Sequence, residues 1–145
     1  MPLIKNPTVD LLREQIVPLY SSEDAAPLQS LIQLFVQALA TAPIPMVMTT
    51  AICDMASKYS PEHYLRIWFR PRTGGLPADD NYVVVVSLRL NIETKVVVVR
   101  ILRGHRNAID DYQTKDTTYS SREFSIEEMV EHGITHLKAL YMGVE

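Results

Sequence analysis

Two valine-rich runs, Tyr82–Leu90 and Lys95–Arg103, stand on either side of the polar stretch Asn91–Thr94. Runs of β-branched residues joined by a short turn predict an antiparallel hairpin. If the turn is the dipeptide Ile92-Glu93, the register of the two strands is fixed. The predicted cross-strand pairs are Leu90 with Lys95, Leu88 with Val97, Val86 with Val99 and Val84 with Ile101. This face of the hairpin is almost wholly apolar, so other elements must cover it.

The opposite face of the hairpin mixes apolar and basic side chains, which is unusual for a sheet surface in water. Its members are Val83, Val85, Val96, Val98, Leu102, Ser87, Arg89 and Arg100. We expect this second face to be covered, either by the N-terminal helices, which would give three layers, or by a second protein chain. Cover from within the chain is the favoured alternative, because layered domains usually bury apolar faces internally.

The remaining patterns predict one α+β domain over residues 1–145, a length that suits a single domain. Helical spacing dominates residues 1–58, strand-like alternation dominates 59–124, and a last helix occupies 125–142. The predicted fold class is therefore N-terminal helices, a small antiparallel sheet with the valine-rich hairpin at its centre, and a C-terminal helix packed on the sheet.

The boundaries of the individual elements follow from caps and periodicity. Helices are predicted from Asn6 or Thr8 to about Val17, after the Ser21-Ser22 cap, and from Pro45 to Lys58. A strand is predicted over His63–Arg70, where apolar residues alternate with larger polar ones. Part of Tyr112–Phe124 is a candidate for a further edge strand.

The C-terminal helix has the clearest start. Ser125 and Glu128 match a capping box, in which the serine hydroxyl and the glutamate carboxylate each accept a backbone amide of the other residue. The apolar stripe of this helix consists of Met129, Val130, Ile134, Leu137, Leu140 and Tyr141. We expect the stripe to pack on the core face of the hairpin, because each surface then buries the other.

The second helix carries an unusual polar stripe. Gln29, Gln33 and Gln37 follow one another at helical spacing, and no charged residue accompanies them. Amide side chains cost less to bury than charged ones when their hydrogen bonds are satisfied. The stripe predicts either a helix packed on both sides within one domain or a helix that contacts a partner protein.

Charge is distributed unevenly along the chain, although the formal net charge is only −3. Residues 58–106 have a net charge of +5, whereas residues 1–57 and 107–145 have net charges of −3 and −5. The candidate binding residues in the basic segment are Tyr64, Arg66, Trp68, Arg70, Arg89 and Arg100. They predict either pairing with the acidic ends of the same chain, which is favoured, or contact with nucleic acid or an acidic protein.

No catalytic motif stands out, and no cofactor is predicted. Phosphate loops, dinucleotide fingerprints and nucleophile elbows are absent from the sequence. Glu128, His132 and His136 share one helix face, but no further ligand can be named, so no metal site is predicted. The single cysteine, Cys53, lies in an apolar run and is expected to be an inert core thiol.

Residues 25–53 contain no charged side chain, which raises the question of a membrane span. The prolines at positions 43 and 45 interrupt this run, and neither half is long enough to cross a bilayer. We therefore expect no transmembrane span. Without an N-terminal signal and with a lone thiol, an intracellular location, cytoplasmic or nuclear, is predicted.

Together these features predict a non-enzymatic protein-interaction or assembly module that self-associates or docks in a larger complex. An adaptor, an assembly subunit or a viral structural or accessory protein would fit. The predicted interface residues are Gln29, Gln33, Gln37, Val83, Val85, Val96 and Val98. The alternative is a nucleic-acid-binding module that uses the basic strand segment 58–106, and a weaker alternative is a small enzyme without a recognisable motif.

Overall fold

A computed structural model describes residues 3–41, 44, 46–71, 82–105 and 115–142. The strands are β1 (Leu3–Lys5), β2 (Met46–Asp54), β3 (Glu62–Pro71), β4 (Tyr82–Asn91), β5 (Val97–His105) and β6 (Lys115–Ser120). The helices are α1 (Val9–Leu11), which continues as a π-helical stretch (Leu12–Ile16) and a 3-10 turn (Val17–Tyr20), then a second 3-10 turn (Glu23–Ala25), α2 (Ala26–Thr41) and α3 (Ile126–Met142). The α+β class is confirmed.

The six strands form one antiparallel sheet in which spatial order equals chain order, β1-β2-β3-β4-β5-β6. The helices α1 and α2 fall between β1 and β2 in the chain, and α3 follows β6. The valine-rich strands β4 and β5 occupy the interior of the sheet. The edge strand predicted within residues 112–124 is β6.

The helix predicted from Pro45 to Lys58 is wrong, and the helical part of the chain ends at Thr41 rather than at residue 58. Met46–Asp54 is strand β2, which pairs along its length with β3. Its β-branched residues favour an extended backbone, and alternation places Ala51 and Cys53 in the core. Cross-strand pairing therefore decided between two conformations that a short apolar run permits.

The hairpin forms, but its register differs by two residues from the prediction. The observed pairs are Leu90 with Val97, Leu88 with Val99, Val86 with Ile101 and Val84 with Arg103. The turn is longer than two residues, because the Asn91 side chain accepts from the amides of Glu93 and Thr94 at 2.9 and 3.1 Å, and Lys95 adopts a φ of 63°. Side chains alternate with a period of two, so this shift leaves each residue on its predicted face.

All described helices lie on one face of the sheet. The helix α2 contacts β4, α3 contacts β5 and β6, and the two helices contact each other. A Cβ added at Gly133 of α3 would lie 3.5 Å from the Val99 side chain, which shows how closely α3 approaches the sheet. The predicted packing of the C-terminal helix on the core face of the hairpin is therefore confirmed.

The three-layer arrangement is wrong for the part of the chain that the structure describes. The inward residues of the sheet and the apolar stripes of α2 and α3 belong to one core, from which Val83, Val85 and Ser87 are separate. The physical reason is that α2 and α3 lie side by side on the same face of the sheet, so neither helix is available to cover the opposite face.

The capping box at the start of α3 is confirmed. The Glu128 amide donates to Ser125 Oγ at 3.1 Å, and the Ser125 amide donates to Glu128 Oε1 at 3.0 Å. The predicted cap at Thr8 also forms, since its hydroxyl accepts from the Leu11 amide at 3.1 Å. Within the described ranges, no helix combines the length and the apolar character that crossing a bilayer requires.

Candidate functional site

The candidate site is the side of the sheet opposite the helices, which we call the open face. Strand alternation and pairing place on it all six candidate binding residues of the basic segment and three of the four predicted interface valines, Val83, Val85 and Val98. Its central members are Tyr64, Arg66, Trp68 and Arg70 on β3, Val83, Val85, Ser87 and Arg89 on β4, and Val98, Arg100 and Leu102 on β5. Val96 lies just before β5 and is half-buried.

The centre of the open face is apolar and tightly packed. Val85 is 3% exposed, and its direct cross-strand neighbours are Trp68 on one side and Leu102 on the other. Val83 and Ser87, the next residues on the same face of β4, are also buried. Since no helix among the described residues covers these strands, large neighbouring side chains on the sheet itself contribute to this burial.

Arg66 is held in one orientation at this centre. Its Nε donates to the hydroxyl of Ser87 at 3.2 Å. Its guanidinium carbon lies 5.5 Å from the ring centroid of Tyr64 and 5.9 Å from that of Trp68, within the range of cation–π attraction. The guanidinium is therefore positioned by one hydrogen bond and two aromatic rings.

Two other arginines of the open face are neutralised by carboxylates. Arg89 Nη2 lies 2.8 Å from Glu62 Oε1. Arg100 bonds Asp116 Oδ2 through Nε and Nη2, both at 2.7 Å, and this contact raises the pKa of Arg100. The predicted pairing with an acidic end of the chain is thus found for Arg100, whereas Arg89 pairs within the basic segment.

Arg66 differs from these two residues. Among the ion pairs formed between described residues, none includes Arg66 or the exposed Arg70. The open face therefore combines an apolar centre, two neutral arginine–carboxylate pairs and one oriented arginine with no carboxylate partner in the described chain.

The glutamine stripe is not part of the open face, because α2 lies in the helical layer on the other side of the sheet. Gln29 is half-buried, and its amide donates to the Val17 carbonyl at 3.0 Å, which is an internal contact. Gln33 and Gln37 are exposed, and Gln37 lines a shallow groove of 260 Å³ between α2 and α3. The glutamines and the valines of the predicted interface thus lie on opposite sides of the sheet.

The histidines and the acid on α3 have structural contacts. Glu128 caps the helix, and His132 stacks on Tyr119 with ring centroids 5.3 Å apart and also contacts Phe124. Burial, with a smaller effect from Arg103, lowers the pKa of His136. No group of three or more metal-ligating side chains occurs in the described portion of the chain.

Cys53 is a buried thiol in the core, as predicted, and burial raises its pKa. It lies beside Tyr20, whose hydroxyl donates to the carbonyl of Tyr64. Burial is the largest cause that raises the pKa of Tyr20 far above its ordinary value. This contact ties the N-terminal helical segment to β3. Cys53 itself is 2% exposed.

Sequence reasoning placed Ser87 on this face but gave it no role, and it did not place His63 in the core. Ser87 orients Arg66, and the signal was available as the one hydroxyl within the valine run of β4. His63 is 5% exposed, its Nδ1 accepts from the Ala56 amide at 2.8 Å, and its Nε2 lies 3.7 Å from Asp24 Oδ2. Extending the inward alternation of β3 back from Leu65 would have placed His63 in the core.

Comparison with protein-family models, with curated proteins and with solved structures finds no match to this chain.

Proposed function

We propose that this protein is a non-enzymatic protein-interaction or assembly module that self-associates or docks in a larger complex through its open face. The observation that carries the proposal is the contrast between the two sides of the sheet. One side is covered by α2 and α3, while the other combines buried valines with no helix from the described residues. Around the buried valines, the side chains of Trp68, Val98 and Leu102 are only half-buried, and a partner that covers them removes their remaining apolar surface from water.

The size of the open face suits such an interface. The strands β2 to β5 have 9 or 10 residues each, which corresponds to about 30 Å, and four such strands spaced about 4.8 Å apart present an area of roughly 600 Å². Two partners meeting across such a surface would bury about 1,200 Å² in total, which is the lower end of the range for stable protein complexes. The composition also fits, because aromatic residues and arginine are enriched in interface centres.

Light scattering of purified protein with two matched variants tests the proposal. Leu102→Glu places a charge on the open face, while Gln33→Glu places the same charge on the exposed side of α2. We expect the wild type and Gln33→Glu to exceed the monomer mass of 16.4 kDa and Leu102→Glu to remain monomeric, with all three equally folded by circular dichroism. A wild type that is monomeric at high micromolar concentration would contradict self-association. Docking of the open face on a different protein would then be the remaining form of the proposal.

A second candidate function is binding of single-stranded nucleic acid. The observation that favours it is the arrangement of Tyr64, Arg66 and Trp68, in which the guanidinium lies between two aromatic rings on the side of the sheet that no described helix covers. Bases stack on such groups. It ranks second because Arg89 and Arg100 are already paired with carboxylates. Those carboxylates would repel a phosphate backbone.

Fluorescence anisotropy with a labelled single-stranded oligonucleotide tests this second candidate. If Arg66, Arg70 and Arg100 contact phosphates, replacing all three by glutamate weakens binding, and each lost contact lowers the log–log salt slope by about 0.7. Undetectable binding by the wild type, or unchanged binding by the folded triple variant, would exclude it.

A further inference from the structure

We propose that Arg66 is the recognition point of the open face, and that the partner segment seated there is apolar and carries an aspartate or glutamate whose carboxylate binds the Arg66 guanidinium. This inference rests on the proposed function, since it names the chemistry of the protein that the open face binds.

The first argument is preorganisation of the guanidinium. Arginine presents a planar fork of donors that matches both oxygens of a carboxylate. In this protein the Nε donor is satisfied by Ser87 Oγ, and the rings of Tyr64 and Trp68 lie within 6 Å of the guanidinium carbon. A partner carboxylate would meet a side chain whose conformational freedom is already reduced, which lowers the entropic cost of binding.

The second argument is the difference in charge between neighbouring arginines. Arg89 and Arg100 have their carboxylates in Glu62 and Asp116, at 2.8 and 2.7 Å. Arg66 has no carboxylate within ion-pair distance among the described residues, although it lies on β3, directly beside the strand β4 that carries Arg89. A partner that buries Arg66 must therefore supply a negative charge beside it, because an unpaired buried charge is strongly unfavourable. Arg70, near the end of β3, is exposed and can keep its charge in water.

The third argument concerns the rest of the partner segment. Next to Arg66, Val85 and Ser87 on β4 are almost fully buried. Trp68 on β3 and Val98 and Leu102 on β5 are half-buried, and they offer the apolar surface that a partner can cover. Apolar side chains on the partner would pack there and exclude water, which strengthens the arginine–carboxylate contact. One carboxylate among apolar residues fits this surface better than a run of phosphates, which would face Glu62 and Asp116.

Selection of random linear peptides displayed on phage tests the inference. Wild-type protein is the target, and the Leu102→Glu variant is used for counter-selection, so that retained peptides depend on the open face. We expect the enriched peptides to carry an aspartate or glutamate flanked by apolar residues. Replacing that acid by its amide in a synthetic peptide should weaken binding by about tenfold or more, because a hydrogen bond to a charged group is lost.

Variants of the protein provide the matched comparison. Arg66→Gln should weaken binding of the synthetic peptide by about tenfold or more, and Arg66→Lys should recover only part of the loss because lysine lacks the planar fork. Arg13→Gln removes the same charge from an exposed position in the helical layer, outside the open face, and should leave binding of the synthetic peptide within about twofold of the wild type. Thermal unfolding of each variant shows that the fold is intact.

The outcomes separate this inference from the proposed function. Peptides that depend on Leu102 but bind Arg66→Gln as tightly as the wild type would overturn the inference and leave the interaction module standing. Failure to enrich any peptide that Leu102→Glu rejects would overturn the docking form of the module together with the inference. Tighter binding of oligothymidylate than of the selected peptides, lost in Arg66→Gln, would overturn the inference in favour of nucleic acid.

Discussion

Replacing Leu137 by alanine should be among the more damaging single changes in α3. Leu137 is fully buried in the core that α2, α3 and the sheet share. The substitution removes three carbon atoms, worth about 0.8 kcal/mol each in transfer free energy, and the cavity left behind adds to the loss. We expect a fall of about 2–5 kcal/mol in the free energy of unfolding, and for a chain of this size each kcal/mol lowers Tm by about 2–4 °C.

Urea denaturation followed by circular dichroism measures this change against two controls on the same element. Ser125→Ala removes the cap and should cost about 1 kcal/mol. Thr135→Ala alters an exposed position and should stay within about 0.5 kcal/mol of the wild type. If the midpoint for Leu137→Ala lies at or above that for Ser125→Ala, then α3 is not packed on the sheet as described, and the helical layer is wrong.

Three further outcomes follow from local contacts. The capping-box bonds to Ser125 lower the pKa of Glu128, so the stability that its charge contributes is present above the ordinary glutamate pKa and is lost as pH falls through the lowered value. The difference in unfolding midpoint between wild type and Glu128→Gln should therefore disappear in acid. A difference that is independent of pH would contradict this. Burial raises the pKa of the Cys53 thiol, so iodoacetamide should label it far more slowly in the folded protein than in concentrated urea, with equal rates counting against the core position of β2. Lys95→Gly should raise the free energy of unfolding by about 0.5–1 kcal/mol, because Lys95 has a φ of 63° that glycine adopts without strain, and a destabilised variant in the same urea titration would refute the turn geometry.

The elements that could be predicted are those whose local chemistry allows one conformation. The Ser125–Glu128 capping box fixes the start of α3, and the valine runs fix both strands and both faces of the central hairpin. The face assignment remained correct despite the error in register, since a shift of two residues leaves the alternation unchanged. The positions of Tyr64, Arg66 and Trp68 on one face follow from the same alternation.

The remaining features depend on contacts distant in sequence. Residues 46–54 are apolar enough for a helix or a strand, and their pairing with β3 is what selects the strand. The register of the hairpin depends on Lys95 adopting a left-handed conformation, which a lysine does not signal. Which side of the sheet α2 covers is decided by its packing beside α3, and the Arg100–Asp116 pair exists only because β6 aligns with β5.

The most direct test of the open face uses the only tryptophan of the chain, Trp68, which lies on that face and is half-buried. Acrylamide quenching of its fluorescence reports how accessible the indole is to solvent, and the measurement is made over a range of protein concentrations and with an open-face peptide added. If the open face is an interaction surface, quenching of the wild type decreases as copies associate or as the peptide binds, and quenching of Leu102→Glu changes with neither. Quenching of the wild type that is independent of concentration and of peptide would contradict the central claim that this face binds protein.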